Sequence, residues 1–407
     1  MKIALIDNMN NMFFSFARYL RDENIEADLY CLNNSVAHFK PEADTFNNIE
    51  DSNYIFELNF KEMVIREMFF ISKTRKIFSK YDLIIASGPM ISILEKNNIR
   101  VDIAIPYGWD LYAFPFMEFN FKKPISSFVN IILSKFQARG LKNSRVLISD
   151  EGFSLYKEAL TKLGIKSINL GIPMVYSKEI KETKENQFKD NDFIVVNHSR
   201  QWWKTKGTES LDDFEIHGGL KRNDKVIKAF SSLLKVTHLK NPLLVLYEYG
   251  LDVEASKHLI EELNIEKYVL WLPLTYRKNI MLTLKNATFT TNSFRNSISG
   301  FGGVSYESLA SGTCHINNTE GTHDNENSIF KNSPVIHALT EKDLFDIFSD
   351  YEKHPDKYIE IANKSKEWFA KELGEGLVKK YIALMCLLHR DQVLTQESYE
   401  VKKLLTS

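Results

Sequence analysis

The stretch SGFGGVSYESLASGT, residues 299–313, is the most specific pattern in the chain. Three glycines, Gly300, Gly302 and Gly303, precede a run of small and apolar residues that ends at Gly312. Glycine lets a backbone approach a ligand closely, and the first amides of a helix are free to bind phosphate. The stretch therefore predicts a loop that enters a short helix. Alone, it is equally typical of an ordinary tight turn before a helix.

Short aliphatic runs alternate with amphipathic stretches on the amino-terminal side of this segment, as in βαβ units with a parallel sheet. The first series of predicted strands is Ile3–Ile6, Ala27–Leu32, Leu83–Ala86, Val101–Ile105, Val146–Ile148 and Ser167–Leu170. The second is Phe193–Asn197, Leu243–Leu246, Val269–Leu272, Thr288–Thr291 and Thr313–Asn317. Helical periodicity dominates from Glu341 onward.

The two series predict two tandem, doubly wound α/β domains. The first covers residues 1–175, a charged linker covers 176–192, the second domain covers 193–365, and C-terminal helices cover 366–407. Ligands of such sheets bind beyond the carboxyl ends of the strands, which predicts a site in a cleft that the two domains face.

In this context residues 299–313 resemble the nucleotide-sugar-dependent glycosyltransferases of the GT-B fold, in the large retaining family called group 1. The matching positions are Gly300, Phe301, Gly302, Glu307, Ala310 and Gly312. The resemblance implies that Glu307 binds the donor ribose and that the loop from Gly300 to Gly303 approaches the donor phosphates. Ser299 stands where the family has a glutamate that commonly meets the donor sugar, and Thr313-Cys314 replaces the usual Thr-Pro.

The resemblance continues upstream in the same order. His198-Ser199-Arg200 follows a predicted strand as Gly-Arg does in the family, and the segment Lys221–Phe230 matches Lys-Gly-x-Asp-x-Leu-Ile-x-Ala-Phe. It implies that Arg200 and Lys221 bind the donor diphosphate and act in catalysis. Arginine offers a bidentate fork and lysine a point charge to a leaving group that gains negative charge. Lys206, followed by a glycine, competes with Lys221 for this assignment.

Three further donor-side features are predicted. Leu272 lies in the segment whose main chain usually binds the nucleobase, and Gly321 lies in a loop whose amides approach the phosphates in the family. Trp202 and Trp203 could stack on a sugar or base, or they could pack their loop onto the domain.

The N-terminal half matches the family more loosely. Asn8, Asn10 and Asn11 follow the first strand, where the family carries a glycine-rich acceptor loop. Tyr107 takes the place of the histidine in the family pattern His-Gly-x-Asp, and Asp110 is the aspartate. The resemblance places these residues on the acceptor side. Asp110 is predicted as a catalytic proton acceptor or hydroxyl contact, or alternatively as a cap of the following segment.

The charge of the chain is nearly balanced, with 52 Lys+Arg against 53 Asp+Glu, but it is unevenly distributed. Residues 60–145 contain 14 basic and 7 acidic residues. Within 112–139, aromatic and basic residues alternate, which predicts either contact with an anionic membrane surface or an ordinary core face with a solvated rim. For 60–81 the core interpretation is favoured. No nucleic-acid motif accompanies the charge, so nucleic acid is not an expected partner.

Metal, disulfide and targeting patterns contribute little. The three cysteines form no Cys-x-x-Cys pair, and Asp190-Asn191-Asp192 lies in the charged linker, where a solvated loop is expected. The resemblance implies that cations and helix N-termini, and no metal or other cofactor, offset the charge of the leaving group. The chain begins without a secretory pattern and has no run long enough to span a bilayer, so a cytoplasmic enzyme is expected, peripheral at the inner face of the cell membrane.

These observations predict a hexosyltransferase-type enzyme. As the resemblance implies, it would move a sugar from a nucleoside-diphosphate donor to a glycan or lipid-linked acceptor, with retention, in the assembly of a bacterial surface polysaccharide or glycoconjugate. The residues themselves leave retention and inversion both open. One alternative is a nucleotide-sugar 2-epimerase, which shares the fold. Another is a non-catalytic nucleotide-sugar- or glycan-binding protein, suggested by Ser299 and Tyr107.

Overall fold

A computed structural model describes residues 1–33, 35–69, 73–149, 154–179, 188–204, 220–295, 301–323, 325–326 and 328–406. The chain forms two compact units. Unit 1 consists of Met1–Tyr176, Asn327–Ile329 and Glu372–Ser407, and unit 2 consists of Ser177–Glu326 and Phe330–Lys371. The C-terminal helices beyond Glu372 therefore belong to the unit that contains the N-terminal sheet.

The sheet of unit 1 has six parallel strands in the order β3-β2-β1-β4-β5-β6. The strands are β1 (Lys2–Ile6), β2 (Glu26–Leu32), β3 (Ile55–Leu58), β4 (Leu83–Ala86), β5 (Ile103–Ala104) and β6 (Val146–Leu147). The helices are α1 (Met12–Asp22), α2 (Phe60–Phe69), α3 (Lys73–Phe78), α4 (Met90–Lys96), α5 (Trp109–Tyr112), α6 (Pro124–Asn143) and α7 (Ser154–Leu163).

Strand β1 shows why this sheet is covered on both faces. Ile3 and Leu5 point into one apolar cluster, whereas Ala4 and Ile6 point into another on the opposite face. Side chains alternate across a strand, so a continuous apolar run fits only a strand that is buried on both sides. The result is the doubly wound architecture that the sequence predicts.

Two elements of unit 1 differ from the sequence prediction. Ser167–Leu170 is not a strand, since it contributes only the isolated bridge between Ile148 and Ile168. Strand β3 was not predicted, because it is an edge strand in which Phe56 and Glu57 are exposed. Only one side of an edge strand is paired, so its sequence carries a weaker apolar signal.

Two further helices of unit 1, α14 (Glu375–Arg390) and α15 (Tyr399–Thr406), come from the C-terminus. Tyr381 on α14 is buried in the core beside β1 and donates its hydroxyl hydrogen bond to the carbonyl of Gly171. Arg145 is almost completely buried and forms an ion pair with Asp102 at 2.9 Å. Its remaining donors reach the carbonyl oxygens of Leu388, Asp391 and Leu394. One guanidinium thus attaches the C-terminal segment to the sheet.

The sheet of unit 2 also has six parallel strands, in the order β12-β11-β10-β7-β8-β9. The strands are β7 (Phe193–Asn197), β8 (Pro242–Glu248), β9 (Val269–Pro273), β10 (Phe289–Thr291), β11 (Cys314–Asn317) and β12 (Ile336–His337). The helices are α8 (Asn223–Leu234), α9 (Val253–Glu262), α10 (Arg277–Leu284), α11 (Gly303–Ser311), α12 (Glu341–Lys353) and α13 (Pro355–Glu372). Two parallel α/β sheets with helices on both faces are the architecture of the GT-B fold.

No helix in the described parts of the chain is both long and apolar enough to cross a bilayer.

Replacing Arg145 with alanine is expected to lower the free energy of unfolding by roughly 3–5 kcal/mol, because Asp102 then remains buried without its ionic partner. Chemical denaturation followed by circular dichroism measures the change. The control is Arg390→Ala, which removes an exposed cation and should change stability by less than about 0.5 kcal/mol. Equal effects of the two substitutions would contradict the structural role of Arg145.

Candidate functional site

The strand order of unit 2 reverses between β7 and β10, which is where ligands of doubly wound sheets bind. Polar segments follow the carboxyl ends of both strands at this point. Their main chains are joined, since the amide of Phe294 donates to the carbonyl of Lys221 at 3.0 Å. A candidate site is therefore located in unit 2 at the edge that its topology indicates.

Three cations converge in these segments: Arg200 after β7, Lys221 before α8 and Arg295 after β10. The ammonium of Lys221 donates to Oδ1 of Asn292 at 3.2 Å. Burial, together with the positive charges of Arg200 and Arg295, lowers the pKa of Lys221 to about 7. Burial also lowers the pKa of Arg200. Such a cluster is stabilised by a bound anion.

Trp202 connects the two predicted diphosphate-binding cations. The guanidinium of Arg200 lies 4.4 Å from the centre of the Trp202 ring, within the range of a cation–π interaction. The Trp202 carbonyl accepts a hydrogen bond from the amide of Lys221 at 2.7 Å. Trp202 thus contacts both Arg200 and Lys221, which are 21 positions apart in sequence.

The contacts of Trp203 are those of a residue that packs its loop onto the domain. Its amide donates to Oδ2 of Asp252 at 2.8 Å, and its indole Nε1 donates to the hydroxyl of Ser256 at 2.9 Å. Both contacts fix the loop onto α9. Lys206 and the glycine after it lie outside the described residues, so the competing assignment of Lys206 stays open.

The glycine-rich segment is described from Phe301 onward, and Ser299 and Gly300 lie outside the described residues. Phe301 is buried, with its ring 4.4 Å from that of Phe330 in an edge-to-face arrangement. Its side chain therefore anchors the loop to the core. Gly302 precedes α11, and a Cβ at Gly302 would meet no atom within 4 Å. The start of this nine-residue helix at Gly303 borders open space.

Glu307 lies on α11 and is almost fully buried. Its Oε1 accepts a hydrogen bond from Nε of Arg277 at 2.7 Å, and its Oε2 lies 3.0 Å from Nε2 of His198. Burial alone would raise the pKa of Glu307. The positive charge of Arg277 and the hydrogen bond from His198 outweigh that effect and hold the pKa below its usual range.

Two more predicted donor-side residues lie in or just after strands of the unit 2 sheet. Gly321 follows β11 in a turn with φ of 71°, a left-handed conformation that glycine adopts without strain. Leu272 is half-buried on β9, opposite Tyr247 of β8. Strand β9 is an edge strand among the described strands, so its outer main-chain groups have no strand neighbour.

The predicted acceptor-side asparagines form a tight turn between β1 and α1 in unit 1. Asn10 and Asn11 have φ of 51° and 57°, so they adopt the left-handed conformation without glycine. Asparagine tolerates this conformation better than most residues. Asn8 is buried and accepts the amide of Phe14 at 2.9 Å. The Asn11 side chain donates to the carbonyl of His38 at 3.1 Å. Asparagines therefore form this turn without the glycines that the family carries in the corresponding loop.

Asp110 is completely buried on α5, and its carboxylate accepts hydrogen bonds from three amides, those of Gly88, Tyr107 and Gly108, at 2.8, 3.0 and 3.0 Å. Burial raises its pKa to about 6, although these hydrogen bonds oppose the shift. All three amides precede Asp110 in the chain, so these contacts do not cap the segment that follows it. A catalytic role for Asp110 stays a prediction, as does the role of half-buried Tyr107.

A second buried carboxyl group, that of Asp7, lies beside Asp110. Burial raises the pKa of Asp7 to about 7, with a smaller contribution from the charge of Asp110. Oδ2 of Asp7 lies only 1.9 Å from the position that a Cβ on Gly88 would occupy, so only glycine fits at position 88.

Sequence reasoning missed Arg277, Asn292 and Arg295. Arg277 is 30 residues away from Glu307, and no motif connects the two. Arg295 carried a usable signal, because it is a cation that closely follows a strand and precedes the glycine-rich loop.

Asp192, part of the sequence Asp190-Asn191-Asp192, has a local role. Its carboxylate accepts the amides of Lys240 and Asn241 at 2.8 and 3.1 Å, so it holds a loop beside β8. No group of three or more potential metal-binding side chains occurs among the residues that the structure describes.

Comparisons with known proteins agree with this architecture. No protein-family model matches the chain, and no curated protein sequence matches it. The structure is similar to Anabaena Alr3699/HepE in complex with UDP, with a TM-score of 0.60, 15% identity, and coverage of 95% of this chain and 100% of that one. Sucrose-phosphate synthase from Thermosynechococcus elongatus has a TM-score of 0.56 and 12% identity, with coverage of 96% and 99%. A candidate UDP-N-acetylglucosamine 2-epimerase from Listeria monocytogenes has a TM-score of 0.59 and 11% identity, with coverage of 97% of this chain and 98% of that one.

The likeness extends over nearly the whole of each chain and confirms the predicted fold class. Identities of 11–15% establish the fold and leave the reaction to be argued from the site.

If the cation cluster binds a nucleoside diphosphate, as the sequence predicts, binding of UDP at pH 8 takes up close to one proton. The pKa of Lys221 is about 7, so its amine is mostly neutral at pH 8, and a bound diphosphate stabilises the ammonium form. The affinity for UDP should consequently fall as the pH rises above 7. Titration calorimetry in two buffers of different ionisation enthalpy measures the uptake.

Lys221→Met should abolish this proton uptake, whereas Lys342→Met, which removes an exposed ammonium, should leave it unchanged. Uptake that persists in Lys221→Met would show that another group titrates.

Proposed function

We propose that this chain is a glycosyltransferase that moves a sugar from a nucleoside-diphosphate donor to a glycan or lipid-linked acceptor. The observation that carries the proposal is the cation cluster of Arg200, Lys221 and Arg295 at the switch point of unit 2, with Glu307 on the adjacent helix. Structurally similar proteins that bind UDP support it at the level of the fold.

The cations suit the chemistry of the donor. When the bond between the sugar and the diphosphate breaks, its electron pair stays with the diphosphate, whose negative charge increases. Arg200 and Lys221 stabilise that charge, and their burial strengthens the interaction because water screens it less. The same cations supply the positive charge that a metal would otherwise bring, so we propose that transfer requires no metal or other cofactor.

Glu307 and the β9 segment complete the donor side of the proposal. A carboxylate accepts hydrogen bonds from two neighbouring hydroxyl groups, which suits the diol of a ribose. The outer edge of β9 near Leu272 offers main-chain groups for a base. Gly302, Gly303 and Gly321 then allow the phosphates to approach the backbone.

The acceptor is proposed to bind unit 1. Asp110 holds the loop of Tyr107 and Gly108, and Trp109 on that loop is 43% exposed and stacks on Phe114 with centroids 4.6 Å apart. An exposed aromatic ring on a rigid loop provides an apolar face for a sugar. We propose Tyr107 and Trp109 as acceptor contacts, together with the turn of Asn8, Asn10 and Asn11.

Membrane contact is proposed for the segment that precedes and begins α6. Phe119, Phe121 and Phe128 are exposed by 41%, 87% and 60%, and the exposed Lys122 and Lys123 lie between them. We call these five residues the aromatic-basic patch.

Not all of 112–139 contributes, since Phe114 is buried and Arg139 pairs with Glu95. Exposed aromatic rings with adjacent lysines suit an anionic membrane interface, consistent with a lipid-linked acceptor. We propose that the enzyme works at the cytoplasmic face of a bacterial cell membrane, in surface polysaccharide or glycoconjugate assembly.

The double substitution Arg200→Ala with Lys221→Ala is expected to reduce transfer by at least about 10³-fold, because each lost donor to the leaving group costs on the order of 10²-fold or more. Release of UDP from a panel of UDP-sugars, with isolated lipid-linked acceptors, measures the rate in the presence of EDTA. The matched control removes two exposed cations, Lys342→Ala with Arg390→Ala.

Transfer at the wild-type rate by the Arg200 and Lys221 double variant would refute the diphosphate assignment. A 2-epimerase would instead convert the UDP-sugar into its C2 epimer without transfer to the acceptor. A binding protein would retain the nucleotide sugar unchanged.

The double substitution Phe121→Ser with Phe128→Ser is expected to weaken binding to vesicles of phosphatidylglycerol and phosphatidylcholine at least tenfold, because it removes most of the exposed apolar area of the aromatic-basic patch. Vesicle co-sedimentation measures binding, which should also weaken at high salt. Val393→Ser, which removes an apolar side chain that is 83% exposed elsewhere in unit 1, serves as the control. Wild-type protein that stays in the supernatant would refute membrane contact through this surface.

A further inference from the structure

Glu307 is part of a buried ionic cluster. Its two carboxylate oxygens are engaged by different elements: Oε1 by Arg277, the first residue of α10, and Oε2 by His198, which follows β7. The two partners are 30 and 109 residues away in sequence. All three side chains are at least nine-tenths buried.

This arrangement leaves capacity for a ligand. Each carboxylate oxygen offers two lone pairs, and one on each oxygen is used by Arg277 or His198. The side chain of Glu307 keeps 10% of its surface exposed, whereas that of His198 keeps 1%. Among the described contacts, one acceptor position on each oxygen thus stays available, which matches the two hydroxyl groups of a diol.

The energetics of the cluster depend on Arg277. A buried carboxylate without a partner takes up a proton, and a protonated carboxyl group loses the acceptor pattern that a diol requires. In this protein the charge of Arg277 and the contact with His198 outweigh burial, and the pKa of Glu307 lies below its usual range. Arg277 therefore preserves the form of Glu307 that accepts two hydroxyl groups.

We propose that Arg277 and His198 are positioning residues that make this site selective for a ribonucleoside diphosphate over its 2′-deoxy counterpart, by holding the Glu307 carboxylate toward the ribose diol. The inference rests on the proposed function and adds a determinant of donor choice to it. Neither residue needs to touch the ligand, since both act through Glu307.

Arg277 also connects two parts of the donor site. It begins α10 four residues after β9 ends at Pro273, and β9 is the edge strand proposed to meet the base. Its side chain reaches α11 at Glu307. The segment next to the base and the carboxylate that recognises the ribose are thus joined by one side chain, so a shift of the segment after β9 moves the ribose contact as well.

Among the described residues, the titratable and charged groups around Glu307 are Arg277, His198 and Tyr247, with His315 next to His198. Burial raises the pKa of Tyr247 to about 12 and lowers that of His315 to about 3, so neither changes charge between pH 5.5 and 8. Glu307 also stays ionised in this range in the wild type, because its pKa lies below the usual value. In Arg277→Gln the positive charge of Arg277 no longer opposes the rise that burial causes in the pKa of Glu307. Glu307 therefore takes up a proton as the pH falls.

The test is titration calorimetry with UDP, GDP and ADP and with their 2′-deoxy forms. For the nucleotide that binds best, the wild type should bind the 2′-deoxy form about tenfold to hundredfold more weakly, as expected for the loss of a hydrogen bond to a charged group. The ratio of the two dissociation constants should be constant from pH 5.5 to 8. Titration of the ligand phosphates is common to both nucleotides and cancels in this ratio.

Glu307→Gln and Arg277→Gln should each reduce the ratio to within about threefold of one at pH 5.5, and in Arg277→Gln the ratio should recover in part at pH 8. Arg277→Lys keeps the charge and should retain an intermediate ratio. The control is Lys342→Gln, an exposed cation of unit 2, which should leave the ratio unchanged.

Loss of fold is separated from loss of selectivity by the double substitution Arg277→Met with Glu307→Met, which leaves no unpaired charge at these two positions. It should melt cooperatively and bind both nucleotide forms with similar affinity through Arg200 and Lys221. A wild-type ratio near one, or an unchanged ratio in Arg277→Gln, would overturn the inference while leaving the diphosphate site intact. Failure of the wild type to bind any of the three nucleotides would overturn the proposed function itself.

Discussion

Parallel pairing of the strands is the constraint on which the rest of this structure depends. In a parallel sheet all strands point the same way, so the loops that follow their carboxyl ends share one edge. The predicted site residues of unit 2 obey this rule, since Arg200 follows β7 and Gly321 follows β11. In unit 1, Asn8 follows β1 and Tyr107 follows β5. Residues that are far apart in sequence become neighbours because their strands are neighbours.

The donor-side chemistry of unit 2 arises from charges that are paired unequally. Glu307 is ionised in a buried environment because Arg277 and His198 compensate its charge. Burial and the charges of Arg200 and Arg295 lower the pKa of Lys221, whose ammonium donates among the described residues only to the amide oxygen of Asn292. The charge of Glu307 is therefore compensated within the protein, whereas the three cations near Lys221 form a cluster that a bound anion would stabilise. In the proposed function, these two clusters recognise the nucleoside and its diphosphate separately.

Much of the fold followed from the sequence because strands buried on both faces have continuous apolar runs, as in β1 and β7. The edge strand β3 escaped detection because half of its side chains face solvent. Among the candidate site residues, Arg200, Lys221 and Glu307 could be selected because each belongs to a motif with a defined spacing. Arg277 could not be selected, because its partner is set by the packing of α10 against α11.

By itself the sequence determined the two α/β units, most of their strands and the motif residues, because local apolar periodicity and short-range spacing are properties of contiguous residues. Tertiary structure alone decided how these residues are charged and oriented. It gave Asp110 the amide of Gly88, joined Trp202 to Lys221, and attached the C-terminal helices to unit 1 through Arg145. The physical reason is that burial and partners determine a pKa or an orientation, and both come from segments that are distant in the chain.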